Sequence, residues 1–468
     1  MNLSTISLPR KLLFGAAFLL LATLVGWFVA KEAWVPLAGT LGLALLAVWP
    51  AYMWLGVFVF FVPFDDVLGL PAGAGGITLT SLIGLVTLFV AFGSSLALRR
   101  FRLPLRPSAF WLAFIAWEGC TVLWSVDREA AIERLPTMLS LLAFYLVVAS
   151  CHFSEKDVSR ISRLAILGGC AAAVITLYEF RSGIFYLSTS MRGSLVFGGR
   201  QTDPNILAAS LLLPLSLAVG ELLGSAKLGG KLLLAFCALL ITSGIFVTGS
   251  RGALLAIAVM LLFYLHKLGM NWRILAPLTL LGGALMFAPA FIFQRLEESQ
   301  ATGGAGRLYI WQTGMAALKD YFLAGAGLDN FPVIYNNYAA HAAQFAGLNR
   351  PAHNVFLQIA VESGAIGLLL FVFVIGSHLK YALRRDAVST GAVRFRLIAC
   401  EAATCGILVA SFFLGLLWTK TFWITWTLLA ICSRVPRMDL LPTRRLSQEV
   451  PDDFEPSQSS EVLVSSQA

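Results

Sequence analysis

Three arginines stand where a chain of this kind ordinarily has few, each in a glycine-rich setting. Arg200 lies in Gly198-Gly199-Arg200-Gln201-Thr202-Asp203-Pro204-Asn205, just before an apolar run. Arg251 lies in Thr248-Gly249-Ser250-Arg251-Gly252, in a turn of almost no length between two apolar runs. Arg307 lies in Gly303-Gly304-Ala305-Gly306-Arg307, opening a segment that carries Trp311. A guanidinium binds phosphate through two parallel charge-assisted hydrogen bonds. Glycine-rich backbone and helix N-termini add N–H donors for the same anion. Together these residues point to an anion site. The competing reading is that each arginine snorkels to lipid phosphates at a membrane surface. A histidine accompanies them: His353-Asn354 follows Arg350-Pro351 and opens another apolar run. Histidine there can act as base, acid or donor near neutral pH, or simply serve as an interfacial residue. The other histidines are His152, His266 and His378, expected in solvated basic loops, and His341, outside the motif.

Glu118, Glu362 and Glu401 fall inside apolar runs, where a carboxylate is expensive and normally faces a cavity or a partner. Glu362 is nine residues beyond His353. On one helix it would lie about two and a half turns below, either ordering the site or linking two helices. No P-loop, no dinucleotide fingerprint and no Asp-x-Asp pair is present, so a cytosolic sugar nucleotide is not the expected substrate. The seven cysteines are scattered without zinc-ligand spacing and read as small buried hydrophobes, with no metal site expected.

The elements that must hold these residues are membrane helices. Of 468 residues, 58% are apolar and 13% charged, about half the charged fraction of a soluble domain. The mean hydropathy is +0.81. The net charge of +9 sits in short loops between apolar runs, which argues for membrane topology and against nucleic acid. Candidate spans are 12–30, 34–49, 51–63, 80–98, 108–125, 136–151, 160–178, 204–222, 231–248, 252–268, 273–291, 354–376, 397–417 and 419–433. The expectation is therefore an all-α polytopic membrane protein with 12–14 transmembrane helices. Basic loops at 99–107, 152–163 and 377–396 fall on one side when helices alternate, and acidic loops with Asp65-Asp66 or Asp127, Glu129 and Glu133 fall on the other. That places both termini in the cytoplasm. The outer side then carries a loop over 292–353. Within it Leu308, Trp311, Met315, Leu318 and Phe322 recur at helical spacing, as on a helix lying on the membrane surface or capping a cavity, and a second helical stretch covers about 329–346. Residues 1–437 read as one transmembrane domain and 438–468, rich in Ser, Pro, Glu and Gln, as a disordered cytoplasmic tail.

The order Asp203-Pro204-Asn205, Ser250-Arg251-Gly252, Gly306-Arg307 with Trp311, Gly325-Ala326-Gly327, and His353-Asn354 with Glu362-Ser363-Gly364 and Gly367 resembles the O-antigen ligase and polymerase superfamily of bacterial inner-membrane proteins. The resemblance is close over roughly 195–375. It implies a fold like that of the lipid-linked, type C glycosyltransferases, with the active site facing the periplasm. It also implies a glycan donor on undecaprenyl pyrophosphate, an acceptor that is either the lipid A-core (ligase) or another lipid-linked glycan (polymerase), contact with membrane lipid, and an inverting reaction without metal or cofactor. By motif, the catalytic residues would be Arg251, Arg307 and His353. Arg200, Asp203, Asn205, Asn354 and Trp311 would contact substrate, and Glu362 would support them. The ligase is the first reading, the O-antigen or exopolysaccharide polymerase the second. A secondary transporter is the reading from another class, against which stand the missing inverted repeat and the gathering of the arginines at one surface. A structural polysaccharide-export partner is the weakest.

Overall fold

The computed structural model describes residues 49–69, 78–97, 101–187, 191–225, 227–269, 306–341, 347–387 and 389–435. The expected spans 12–30 and 273–291, nearly all of 34–49, and the tail 438–468 lie outside these. Among the described residues the structure is almost wholly helical. The elements are α1 (Ala51–Phe61), α2 (Leu79–Ala97), α3 (Leu105–Thr121), α4 (Arg128–Ser150), α5 (Glu155–Arg181), α6 (Pro204–Gly224), α7 (Leu228–Val247), α8 (Arg251–Leu268), α9 (Arg307–Tyr321), α10 (Phe331–Tyr338), α11 (Val355–Asp386), α12 (Gly391–Ser411) and α13 (Lys420–Cys432). A two-residue antiparallel pair, β1 (Val196–Phe197) with β2 (Arg200–Gln201), closes the turn at Gly198-Gly199.

Helices fall on all eleven of the expected spans that lie within the described residues. Seven of them (α2, α4, α5, α6, α7, α8 and α11) are long and apolar enough to cross a membrane, and α1 and α13 are shorter apolar helices. The chain is an all-α multi-pass membrane protein.

Small residues let these helices approach closely, as lipid-embedded bundles require. A Cβ on Gly168 of α5 would lie 2.3 Å from the Phe60 carbonyl oxygen of α1, and one on Gly220 of α6 would lie 2.7 Å from the Ala399 Cβ of α12. The central helix is α6, buried along most of its length. Outward-facing leucines and phenylalanines such as Leu85, Phe89, Leu232 and Leu233 remain exposed, as lipid-facing side chains should.

The basic ends gather at one end of the bundle. Arg396 donates to Glu221 at 2.6 Å and reaches Glu155 at 3.3 Å, while Lys267 stands 2.9 Å from Asp386 and 3.1 Å from Glu401. Two expectations there are corrected. The segment 377–396 is mostly helix, with α11 running to Asp386 and α12 opening at Gly391, because amphipathic turns continue a helix beyond the bilayer core. His378, expected to be solvated, is 2% exposed. Its Nε2 accepts from Trp111 Nε1 at 3.1 Å and lies 3.1 Å from the Tyr145 hydroxyl, inside a ring of aromatics.

At the other end, α9 and α10 form a small satellite core with Ile310, Ala317, Phe331, Ile334 and Tyr335. The buried face of α9 is Ile310, Thr313, Gly314 and Ala317. The stripe that the spacing singled out (Leu308, Met315 and Phe322) points outward and is exposed, while Trp311 and Leu318 pack partly against the core.

Candidate active site

Four helix N-termini meet at this end, and each owes its start to a local signal. Helix α6 is capped by Asp203, whose carboxylate accepts from Asn205 N at 2.7 Å and Ile206 N at 3.3 Å, with Pro204 at the first helical position. Helix α11 is capped by Asn354, whose side-chain oxygen accepts from Phe356 N at 3.0 Å and Leu357 N at 3.1 Å. Helix α8 opens at Arg251 after a turn whose Gly249 has φ +62°. Helix α9 opens at Arg307 after Gly306 with φ +78°, a left-handed conformation cheap only for glycine. Helix N-termini carry partial positive charge, and two of these four begin with an arginine.

His353 sits immediately before the α11 cap. It is half-buried and holds φ +47°, a strained value for a residue with a Cβ. Burial, then the Arg307 guanidinium, lower its pKa to about 4; Asp203 opposes them and Arg350 adds to them. Asp203, Arg307 and Arg350 are therefore each within electrostatic reach of His353. At pH 7 the imidazole is neutral, the form that can accept a proton. The Trp311 indole donates to the Ala352 carbonyl at 3.0 Å, so α9 holds the residue before His353.

The Arg251 turn is joined to the same neighbourhood by a residue that motif reading passed over. Arg192 is 8% exposed. Its Nε donates to the Thr248 carbonyl and its Nη2 to the Asn205 Oδ1, both at 2.8 Å. Gly193 N adds a bond to the Val247 carbonyl at 2.7 Å. The available signal was one more loop arginine beside a glycine, Arg192-Gly193. Arg200 is exposed on β2 and lies over Gly69, where a Cβ would meet its Nη1 at 1.5 Å. It thus covers the turn that carries Asp65 and Asp66. Glu362 is buried within α11. It accepts from Phe331 N at 3.1 Å and from Gln358 Nε2 at 3.2 Å, anchoring the start of α10.

Beside Asp203 opens a cavity of about 350 Å³ lined by Asp65, Asp66, Thr78, Ser81, Thr202 and Trp418, among others. A second, apolar groove of about 410 Å³ runs between α2, α4 and α13 along Leu82, Leu85, Leu88 and Phe144, and shares Ser81, Ser140, Leu141 and Lys420 with the first.

Comparison with known proteins adds the family. Residues 236–372 match the O-antigen ligase family model. That segment contains Arg251, Arg307, Trp311, His353, Asn354 and Glu362, so the resemblance carried by these motifs is borne out, while Arg200, Asp203 and Asn205 lie before it. The chain is also 26% identical over 307 residues to the exopolysaccharide production protein ExoQ of Rhizobium meliloti (strain 1021), covering 59% of this chain. It spans 66% of that relative's length, just short of two thirds. The similarity is thus to O-antigen ligase and polymerase-like proteins of glycan assembly.

Proposed function

We propose that the protein is a glycosyltransferase of the bacterial inner membrane, with both termini cytoplasmic and the site facing the periplasm. It moves a glycan from undecaprenyl pyrophosphate to an acceptor hydroxyl. The observation that carries this reading is the placement of His353, held at positive φ directly before the α11 cap with Trp311 fixing the residue before it, within electrostatic reach of Asp203, Arg307 and Arg350. Breaking the glycosidic bond to a pyrophosphate leaves negative charge that fixed cations and helix N-termini stabilise. Arg251 and Arg307 are assigned to that charge. His353 removes the proton of the acceptor hydroxyl as its oxygen attacks the anomeric carbon, and the lipid pyrophosphate leaves. Attack from the face opposite the leaving group inverts the anomeric centre. Arginines supply the positive charge that a metal would otherwise give. Asn354 and Asp203 cap helices, Trp311 fixes the turn before the base, and Asn205 holds Arg192, so these act mainly by positioning; Arg200 closes the rim. The apolar groove beside the polar cavity suits a substrate with a hydrocarbon chain.

The lipid A-core ligase remains the first acceptor reading. The polymerase reading gains from the relative named for exopolysaccharide production. Reconstitution in nanodiscs with an undecaprenyl-pyrophosphate-linked glycan decides between them. Transfer to added lipid A-core means ligase; growth of the lipid-linked chain itself means polymerase; neither product removes the proposal.

A further inference from the structure

The cavity beside Asp203 has a chemistry that the charge on a pyrophosphate does not explain. Its charged lining is Asp65, Asp66 and Lys420, and Lys420 is already engaged: its Nζ lies 2.6 Å from Asp65 Oδ1 and 2.9 Å from Thr78 Oγ1. Two carboxylates against one ammonium make the lining net negative, unfavourable for a phosphate. Asp66 is exposed at the rim, yet the protein around it partly desolvates its carboxylate. That partial desolvation, then the charges of Asp65 and Asp203, raise its pKa above the ordinary carboxylate value.

Among the described residues, two polar atoms in the lining have no protein partner. Thr202 is 2% exposed and its Oγ1 makes no hydrogen bond, although its backbone is fixed by Thr202 N to the Leu195 carbonyl at 3.0 Å and by Ser194 Oγ to the Thr202 carbonyl at 2.6 Å. The buried Trp418 Nε1 is likewise without a partner. Buried polar atoms are nearly always satisfied, so two beside one cavity mark a place where something else supplies the bonds. An indole N–H can only donate and a carboxylate can only accept, whereas a hydroxyl does both. A cation would satisfy the carboxylates but not the indole. A polyhydroxylated ligand satisfies all of them, and about 350 Å³ falls in the range of small-molecule sites.

We infer that this cavity is a saccharide subsite, with Asp66, Thr202 and Trp418 hydrogen-bonding the hydroxyls of a neutral sugar. It rests on the transfer reading only in naming that sugar as the acceptor, because Thr202 adjoins Asp203, whose charge is felt at both Asp66 and His353.

The test uses full-length protein in nanodiscs, with the methyl glycosides of glucose, galactose, mannose and N-acetylglucosamine at millimolar concentration, read by saturation-transfer NMR. Inorganic pyrophosphate binding is measured in parallel. At least one glycoside should bind the wild type. Its affinity should fall about tenfold in Asp66→Asn and in Thr202→Val, the loss of one hydrogen bond to a charged or buried partner. Thr202→Ser, which keeps the hydroxyl, should bind like wild type, and pyrophosphate affinity should be unchanged in all three, which also verifies folding. Absence of glycoside binding to the wild type would mean a cavity filled by water only and would overturn the inference, as would equal binding by every variant or displacement of the glycoside by pyrophosphate. The transfer reading fails separately, by unaltered turnover in Arg307→Ala and His353→Ala.

Discussion

At the scale of single residues the account turns on charge geometry. A charge-assisted hydrogen bond contributes roughly 1.5–3 kcal/mol, and a bidentate arginine makes two. Loss of Arg251 or Arg307 should therefore slow transfer by about two orders of magnitude or more. Arg251→Lys and Arg307→Lys should be badly impaired as well, because lysine lacks the planar fork. An arginine that only meets lipid headgroups gives the opposite result, since lysine snorkels equally well; lysine variants that work like wild type would restore that reading. The base makes a separate prediction about pH. A histidine with its pKa lowered to about 4 is already deprotonated well below neutrality. The acid limb of kcat/KM, which reports the free protein, should thus lie well below pH 6, and a limb near 6.5 would show an unperturbed histidine instead. Residue types and spacing alone single out Arg251, Arg307 and His353 as candidates. What they could not reveal was Arg192, whose importance lies in bonds to Thr248 and Asn205, 56 and 13 residues away in sequence.

At the scale of elements, the site depends on a break in α11. Gly364 has φ +69°, and a Cβ there would lie 2.3 Å from the Leu323 carbonyl oxygen. The opened helix bonds instead to the segment between α9 and α10. Ala365 N donates to the Phe322 carbonyl at 2.7 Å, and Ala326 N and Gly327 N donate to the Val361 and Glu362 carbonyls, each at 2.8 Å. Gly364→Val combines positive φ with a clash against backbone and should destabilise the protein by about 2–4 kcal/mol, read as a lowered thermal midpoint in detergent. Glu362 offers a sharper distinction. As an anchor for Phe331 N it tolerates Glu362→Gln, which keeps the acceptor oxygen, while Glu362→Ala costs about 1–3 kcal/mol by leaving a buried donor unpaired. A stable but inactive Glu362→Gln would make it the base instead. The Gly325-Ala326-Gly327 and Glu362-Ser363-Gly364 motifs were visible in the sequence, but not that they bond to each other, since the pairing of two breaks far apart leaves no periodic trace. Apolar runs placed the helices well. They misjudged His378, because a polar side chain in a basic stretch reads as solvated unless its aromatic neighbours are already known.

At the scale of the whole molecule, one end of the bundle gathers buried ion pairs around Arg396 and Lys267 and the other gathers Asp65, Asp203, Arg307 and His353. In the proposed orientation, which rests on arginine and lysine asymmetry, the first end faces the cytoplasm. In a cysteine-free background and intact spheroplasts, an impermeant thiol reagent should label Leu348→Cys and not Arg385→Cys; the reverse pattern would invert the orientation. The claim on which the rest depends is that His353 takes the acceptor proton in glycan transfer from a lipid-linked pyrophosphate. Its most direct test is the transfer rate of purified His353→Ala against wild type at matched amounts, with donor binding measured in the same preparation. The account predicts a fall of about 100-fold or more with donor binding retained. A variant that transfers glycan at the wild-type rate would contradict it.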